Sequence, residues 1–348
     1  MKRSLCWLIL GCMAGALLCG CGAQANGSSA SEDSSASQSN QEASQEFYAM
    51  DTYMSIQVYG GEAQEAVDEC VQYINDLEQE ISRTNEDSEI YTLNETGVAT
   101  VSDDTADILT AAAELAKQAD GYFDPTVAPL SDLWQIGTEN AHIPKKSQIA
   151  KARKLVDYTK LHINGNNVTL PKSMKIDLGG IGKGYAADHV LKILQDKGVT
   201  SGIVALGGNI YAVGKKDGNK DWNVAIADPD SNGEYLGKLE VSDTSVVTSG
   251  DYERYFEEDG VRYCHIFDPA TGAPAQSDLR SVTIVDKNST KADAFTTALF
   301  VMGYEKAEKF CEENDIEAVF VCSDKTVHVT DGLKDCFTLL NTEYSYEE

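Results

Sequence analysis

Apolar residues recur at helical spacing in the first third of the chain. Between residues 62 and 82 they stand three or four positions apart, which predicts an amphipathic helix over that range. An alanine-rich pattern over residues 106–118, ended by Asp120-Gly121, predicts a second helix. Near the other end, the pattern over residues 291–314 predicts one long helix.

The stretch between residues 160 and 330 contains short apolar runs bounded by turn-forming residues, which is typical of β-strands. Residues 160–163 and 168–170 flank Asn164-Gly165-Asn166-Asn167 and are predicted to form a hairpin. Further strands are predicted at residues 202–206, 222–227, 237–241, 245–248, 254–257, 262–267, 281–285, 317–322 and 326–329. Because helices and strands are grouped, the pattern predicts an α+β fold with a largely antiparallel sheet.

A glycine turn, residues 177–184, separates a strand-like run at 174–178 from a helix-like run at 185–197. Glycines let the backbone approach a ligand, and a helix N-terminus offers free N–H groups and partial positive charge to a phosphate. The turn is not a Walker A loop, because Lys183 is followed by Gly184 rather than Ser or Thr. Two interpretations stay open: an anion-binding turn, and a turn without a ligand.

Three polar residues are candidates for chemistry. Asp293 and Thr297 stand four apart and so share one helix face, where their oxygens would suit Mg²⁺ or Ca²⁺. From these two residues alone, the simpler reading that Asp293 offsets the helix dipole and Thr297 packs is favoured. His265 precedes a Pro/Gly turn and is a candidate general base, although such a histidine is more often only hydrogen-bonded in place.

The N-terminus predicts export. Lys2 and Arg3 precede an apolar run at residues 5–18, so residues 1–20 are a predicted signal peptide. Leu18-Cys19-Gly20-Cys21 is similar to a lipobox with Cys21 as the lipidated residue; Cys19 is a weaker candidate. We therefore expect a protein anchored to the cell membrane by acyl chains and exposed outside the cytoplasm. Cleavage by ordinary signal peptidase is the less favoured alternative.

Composition divides the rest of the chain. Residues 22–46 are nearly all small or polar and are predicted to be a flexible tether, residues 47–340 a folded domain, and residues 341–348 a short acidic tail. The net charge of −28 argues against nucleic-acid partners and against adhesion to anionic membranes. Beyond the signal peptide and Cys21, five scattered cysteines form no C-x-x-C pair, so we expect mostly buried small hydrophobes: Cys70, Cys264, Cys311, Cys322 and Cys336.

Eight motifs, in order, resemble the ApbE family of FAD:protein FMN transferases, and they cover nearly all of residues 47–340. They are Ala49-Met50-Asp51-Thr52; Ser82-Arg83 with Ser88-Glu89-Ile90-Tyr91 and Leu93-Asn94; Gly121-Tyr122-Phe123-Asp124-Pro125-Thr126-Val127 with Pro129-Leu130 and Leu133-Trp134; the glycine turn; Gly207-Gly208-Asn209; Thr248-Ser249-Gly250; His265 through Pro274; and Ala292-Asp293-Ala294-Phe295-Thr296-Thr297-Ala298.

The resemblance implies an ApbE-like, T-fold-related flavin transferase fold and a reaction. FMN is moved from FAD onto a threonine or serine hydroxyl of an acceptor protein, with Mg²⁺ bound and AMP released. It implies that His265 activates the hydroxyl. It implies a metal bound by Asp293, Thr297 and the carbonyl of Gly180. The flavin- or nucleotide-contacting positions that it implies are Met50, Tyr91, Tyr122, Phe123, Asp124, Asp177, Lys183 and Ile266.

Three departures from the family pattern remove no implied ligand. Gly182 stands where many members have Ala, Asp51 replaces a common Gly, and Thr84 replaces a common aromatic residue. Two other functions stay open: a metal-dependent FAD pyrophosphatase, in which water rather than a protein hydroxyl attacks, and a non-catalytic flavin-binding lipoprotein. The acceptor protein, a redox-complex subunit or an extracellular flavoprotein by resemblance, is not named by the sequence.

Overall fold

The computed structural model describes residues 41–230 and 233–347. Its helices are α1 (Ala63–Ile81), α2 (Glu89–Thr96), α3 (Asp103–Gln118), α4 (Ala128–Trp134), α5 (Lys146–Arg153), α6 (Gly182–Asp196), α7 (Ser289–Met302) and α8 (Tyr304–Asn314). The predicted signal peptide, Cys21 and residues 22–40 of the predicted tether lie outside the described residues. Within the described residues, no helix is both long and apolar enough to cross a membrane.

The strands are listed here in chain order. They are β1 (Glu42–Ala49), β2 (Thr52–Tyr59), β3 (Val98–Thr100), β4 (His162–Asn164), β5 (Asn167–Thr169), β6 (Ser201–Leu206), β7 (Asn209–Gly214), β8 (Trp222–Ala227), β9 (Tyr235–Val241), β10 (Thr244–Gly250), β11 (Tyr255–Glu258), β12 (Val261–Cys264), β13 (Phe267–Asp268), β14 (Ala273–Pro274), β15 (Leu279–Asp286), β16 (Glu317–Cys322), β17 (Thr326–Val329), β18 (Phe337–Leu339) and β19 (Ser345–Glu347).

A nine-stranded sheet organises the molecule, in the order β1-β2-β6-β7-β10-β15-β16-β17-β19. Every neighbouring pair in it is antiparallel except β17 and β19, which run parallel. Smaller sheets are β18-β9-β8 and β3-β5-β4, and β11-β12 and β13-β14 form two hairpins. The predicted α+β class with a largely antiparallel sheet is confirmed.

Both faces of the large sheet are covered, because successive side chains of each strand point alternately to one face and to the other. Val247 and Phe320 belong to the core under helices α1, α6 and α7, while their neighbours Val246 and Val321 belong to a second core under the sheet β18-β9-β8. Successive side chains of a strand point to opposite faces, so adjacent residues serve different cores. The helix face is the one that bears on function, since α6 and α7 pack against each other there.

The predicted helix at 62–82 is confirmed as α1. Ser82 ends the helix in an extended conformation. The residues that its inward face buries at the predicted spacing are Ala63, Ala66, Val67, Cys70, Ile74, Leu77 and Ile81. The second predicted helix is confirmed as α3, which begins three residues earlier because Ser102 caps it by accepting the N–H of Thr105. The predicted hairpin around Gly165 is confirmed as β4–β5.

Three predicted elements differ from the structure. The single helix at 291–314 is two helices, because Gly303 takes φ +75° between α7 and α8. The run 174–178 is not a strand; it makes only an isolated bridge between Lys175 and Val127. The strand at 262–267 is interrupted after Cys264, where the backbone N–H of His265 turns to the Arg254 carbonyl, 3.0 Å away.

The predicted folded domain, residues 47–340, is too short at both ends. β1 begins at Glu42, inside the predicted tether, and pairs along its full length with β2. β19 lies inside the predicted acidic tail, where Tyr344 is buried. Composition missed both ends because polar edge strands owe their order to backbone pairing rather than to apolar side chains.

Candidate functional site

The glycine turn meets two predicted site residues at Gly180. A Cβ atom placed on Gly180 would lie 3.3 Å from Cε2 of Phe123 and 3.4 Å from Oγ1 of Thr297. These contacts are tighter than ordinary packing allows, so the absence of a side chain brings the turn against both residues. Residues from three distant motifs therefore meet at one point.

Gly184 brings α6 against α7. Its N–H donates to Oδ2 of Asp293 at 2.8 Å. A Cβ on Gly184 would lie 2.3 Å from the Ser289 carbonyl oxygen and 2.7 Å from Cβ of Asp293, so only glycine permits this approach. The α6 N-terminus thus binds a carboxylate of the protein itself, that of Asp293, and the interpretation of the turn as a site for a bound anion stays a prediction.

Asp293 is an enclosed carboxylate, only 4% exposed. Burial raises its pKa, while the charge of Lys183 and the N–H of Gly184 act in the opposite direction. Thr297 lies one turn further along the same face of α7. Carboxylate, hydroxyl and the nearby Gly180 backbone form a small set of hard oxygen ligands, which fits a Mg²⁺ ion completed by phosphate oxygens and water.

Within residues 41–230 and 233–347, no three or more His, Cys, Asp or Glu side chains are grouped to hold a metal ion. A cation bound here would rely on one carboxylate and on neutral oxygens. This donor set is unsuited to zinc, which prefers nitrogen and sulfur ligands, and it leaves positions open for a substrate's phosphates.

His265 lies at the break between β12 and β13. Its Nδ1 atom is buried and has no hydrogen-bond partner among the described residues. Burial, followed by the charges of Arg254 and Lys183, lowers the pKa of His265 to about 4. The imidazole is therefore neutral at physiological pH and is able to accept a proton, as the prediction of a general base requires.

Met50 lies on the turn between β1 and β2, and its position is set by backbone geometry. Met50 and Asp51 both have positive φ, +47° and +59°, and the carbonyl of Asp51 accepts a hydrogen bond from Nη2 of Arg254 at 3.4 Å. The backbone carbonyl of Arg254 also accepts a hydrogen bond from the backbone N–H of His265. The Met50 turn and the His265 segment are thus joined through Arg254, a residue that the sequence analysis did not single out.

Asp177 organises the start of the glycine turn. Its Oδ1 accepts the N–H of Gly179 at 3.0 Å, and its Oδ2 accepts the hydroxyl of Ser131 at 3.1 Å. Nε of Arg83 lies 3.6 Å from Oδ2, and Arg83 also pairs with Asp132. The carboxylate predicted to contact nucleotide is thus engaged within the protein, where it fixes the direction of the turn.

Asp124 and Tyr122 likewise have protein partners. Asp124 is 6% exposed, and its carboxylate accepts the N–H and hydroxyl of Thr126 and the N–H of Tyr158 at 2.6–3.0 Å. The hydroxyl of Tyr122 accepts a hydrogen bond from Nζ of Lys306 at 3.2 Å. Asp124 therefore supports the segment that carries Phe123, while Tyr122 stays half-buried at its surface.

The two remaining predicted contact positions are Tyr91 and Ile266. Tyr91 is half-buried in the first turn of α2, where its N–H donates to Oγ of the N-cap Ser88 at 2.9 Å. Ile266 is buried, and its carbonyl accepts the N–H of Ala275 at 2.8 Å. Among the described residues, no hydrogen bond or ring contact joins the Tyr91 side chain to Gly180 or Asp293.

Glu253 and Asp188 are charged neighbours of the site that sequence reasoning missed. Oε1 of Glu253 would lie 3.4 Å from a Cβ on Gly208. Glu253 is exposed to solvent, although nearby protein raises its pKa and the charges of Lys183 and Arg254 act in the opposite direction. Nothing in its local pattern marks Glu253. Asp188 lies one turn beyond Gly184 on α6, a position that by itself does not distinguish it from other acidic residues of a helix.

The five cysteines of the described domain are Cys70, Cys264, Cys311, Cys322 and Cys336. Four are buried and Cys336 is half-buried, as expected of small hydrophobes. Burial raises the pKa of Cys264, which neighbours His265, to about 11, so it is a protonated, weakly reactive thiol at neutral pH. Cys21, the predicted lipidation site, lies outside the described residues.

Known proteins are similar to this chain in sequence and in fold. The model of the ApbE family matches residues 50–320. An FAD:protein FMN transferase of Treponema pallidum is 35% identical over 332 residues, covering 88% of this chain and 92% of the relative. Another of that name from Vibrio cholerae is 33% identical over 280 residues, covering 78% and 81%.

Solved structures agree with these relatives. The ApbE protein of Thermotoga maritima has a TM-score of 0.80 and 32% identity, covering 85% of this chain and 99% of its own. The apo form of the flavinyl transferase ApbE of Pseudomonas stutzeri has a TM-score of 0.77 and 30% identity, covering 85% and 97%. Family model, sequence and fold all give the same result, and the chain belongs to the ApbE family.

Proposed function

We propose that this chain is a Mg²⁺-dependent FAD:protein FMN transferase. The observation that carries the proposal is the meeting of Gly180, Phe123 and Thr297 beside the enclosed Asp293 carboxylate. An aromatic ring, a glycine backbone and hard oxygen ligands at one point suit a flavin joined to a pyrophosphate. Relatives with the name FAD:protein FMN transferase support the same activity.

The binding roles follow from charge and shape. Phe123, with Met50 and Tyr122 nearby in the motif series, would contact the flavin, and Lys183 would neutralise phosphate charge. In a protein of net charge −28, a pyrophosphate needs such local compensation. Asp293, Thr297 and the Gly180 carbonyl would hold Mg²⁺, which supplies neutralisation of the phosphate oxygens and orientation of the pyrophosphate.

The transfer itself exchanges one bond to phosphorus for another. The hydroxyl oxygen of an acceptor threonine or serine attacks the FMN phosphorus, a new P–O bond forms, and the bridging P–O bond to AMP breaks. The hydroxyl proton goes to a base, and AMP leaves with its phosphate. A hydroxyl is a weak nucleophile at neutral pH, so the neutral His265 imidazole is suited to accept that proton.

The N-terminal prediction gives the place of action. Cleavage before Cys21 and acylation of that residue would anchor the enzyme outside the cytoplasm, and residues 22–41 would tether it. A tethered enzyme reaches acceptors at the same membrane surface. The acceptor chemistry that fits is an extracytoplasmic protein segment with an accessible threonine or serine.

The test combines protein from residue 22 onward with FAD, Mg²⁺ and an acceptor domain with one flavinylation segment, read by intact mass. The expected result is an acceptor heavier by one FMN less one water, with one AMP released. An acceptor variant in which that threonine is replaced by valine is the matched control and should stay unmodified. Asp293→Ala should lose several kcal/mol of charge stabilisation, about 100-fold or more in rate.

Two other outcomes would overturn the transferase. AMP and free FMN without an acceptor adduct would establish the pyrophosphatase, in which water is the nucleophile. Bound and intact FAD at all Mg²⁺ concentrations would establish a flavin-binding protein. Full activity of Asp293→Ala would remove the metal assignment while leaving the transferase in place.

A further inference from the structure

Helices α6 and α7 each supply a carboxylate that accepts hydrogen bonds from the N-terminus of the other helix. Asp293 of α7 accepts the N–H of Gly184 in the first turn of α6. In return, Asp188 of α6 accepts the N–H groups of Ser289 and Thr290 in the first turn of α7, each at 2.9 Å. Both carboxylates thus occupy positions where a helix dipole favours negative charge, and each one belongs to the other helix.

We infer that Asp188 is a positioning residue for the metal ligands, holding the start of α7 so that Asp293 and Thr297 face the glycine turn. The inference rests on the proposed function for its consequence, and on hydrogen bonds for its geometry. Asp188 itself contacts neither metal nor substrate in this assignment. It acts through the helix that carries Asp293.

Both carboxylate oxygens of Asp188 accept hydrogen bonds from α7. Besides the two N–H groups, Oδ2 accepts the hydroxyl of Thr290 at 2.6 Å. Such charge-assisted bonds are shorter and about twice as strong as neutral ones. Since Gly184 leaves no room between the backbones, a small rotation of α7 would either collide with α6 or separate Asp293 from its N–H partner.

A second group caps the same helix end without touching α6, which provides a control. Oδ1 of Asn288 accepts the N–H of Lys291 at 2.8 Å, the ordinary N-cap of α7. Removing Asn288 weakens the helix end, whereas removing Asp188 also releases it from α6. The two changes separate helix stability from helix position.

The test measures Mn²⁺ binding by electron paramagnetic resonance, and the Mg²⁺ and FAD dependence of turnover, in Asp188→Asn, Asp188→Glu and Asn288→Ala. Asparagine would turn an NH₂ group toward an N–H donor, so the Mn²⁺ dissociation constant should rise about 10–100-fold, as for other residues that orient metal ligands. The Mg²⁺ requirement should rise in parallel, with little change in the KM for FAD. Asp188→Glu should recover part of the loss, and Asn288→Ala should bind Mn²⁺ as the unaltered protein does.

The outcomes separate this inference from the proposed function. Unchanged Mn²⁺ binding in a folded Asp188→Asn protein, or an equal loss in Asn288→Ala, would overturn the positioning role. If Asp188→Asn does not fold, the same comparison is made with Asp188→Ser, which removes the carboxylate, and unchanged Mn²⁺ affinity in that variant would overturn the role. If the unaltered protein binds Mn²⁺ but transfers no FMN, the proposed function fails while the Asp188 result still decides the inference.

Discussion

His265 is kept neutral by its surroundings, and that has a consequence for stability as well as for chemistry. Its pKa is about 4 in the folded protein against 6.5 for an ordinary histidine, because burial and the charges of Arg254 and Lys183 disfavour the imidazolium. Between those pH values the unfolded chain binds more protons. Stability at this residue is therefore full above about pH 6.5 and is lost as the pH falls toward 4.

The expected change in the free energy of unfolding is large enough to measure. With these two pKa values, the free energy of unfolding should fall by about 2 kcal/mol at this residue between pH 8 and pH 5. Urea unfolding of the ligand-free protein and of His265→Gln at both pH values isolates the contribution, because other titrating groups are common to both. An equal fall in the two proteins would show that His265 is not kept neutral. In the same variant, FAD binding should persist and transfer should slow.

At the level of elements, Gly303 decides where one predicted helix becomes two. It takes φ +75° and ψ 166°, a region open to glycine almost alone, and a Cβ would lie 2.9 Å from Oδ1 of Asp278. Gly303→Ala should therefore lower the free energy of unfolding by about 3 kcal/mol. Gly165→Ala is the matched control: φ is +54° with open space around it, so about 1 kcal/mol is expected. Equal losses in thermal or urea unfolding would contradict the special conformation of Gly303.

Elements were predictable where side chains carry the pattern. The helix α1 and strand β8 follow from apolar spacing, since large apolar residues are confined to their inward faces. The break at Gly303 was missed because apolar periodicity continues through it. β1 and β19 were missed because pairing with a neighbour strand, not burial of their own side chains, orders them.

The site was predictable only through its motifs. Gly180 lies against Thr297, and Gly184 of the same turn binds Asp293. The metal role that the resemblance implied for Gly180, Asp293 and Thr297 stays a prediction. Glu253 was missed because its neighbours come from distant segments. Asp188 was missed because a helix carries many solvated acids, and only the facing helix distinguishes one that binds its N-terminus.

At the scale of the whole molecule, the C-terminal segment connects the two sheets that enclose the second core. β19 pairs with β17 of the large sheet, while the Tyr344 hydroxyl donates to Oδ1 of Asp228, just after β8 of the small sheet, at 2.7 Å. Burial raises the pKa of Asp228, but the hydrogen bonds from Tyr344, the Asp230 N–H and Asn341 outweigh it and hold the pKa below its usual value. The acidic tail of the composition analysis is thus part of the fold.

Tyr344→Phe should leave this buried carboxylate short of a donor. The expected loss is about 1–3 kcal/mol of unfolding free energy, because a buried acceptor loses its partner. Tyr235→Phe is the control, since Tyr235 is 60% exposed and should change stability by no more than about 0.5 kcal/mol. Chemical denaturation of both variants checks the prediction, and unchanged stability of Tyr344→Phe would contradict the connection between the two sheets.

The predicted lipid anchor at Cys21 can be tested with the intact chain in a bacterial host. Cys21→Ser should move the protein from the membrane fraction to the soluble exported fraction, because the predicted acylation site is lost. Cys19→Ser, two positions away, should remain in the membrane fraction. Release by Cys19→Ser with retention of Cys21→Ser would instead assign the anchor to Cys19.

The carboxylate exchange joins α6 and α7 across 101 and 109 positions of sequence. A polypeptide still emerging from a ribosome, or one cut before residue 289, has α6 but nothing to occupy its N-terminus. The proposed metal ligands on α7 and the N-terminus of α6 are therefore brought together only once both helices have been made.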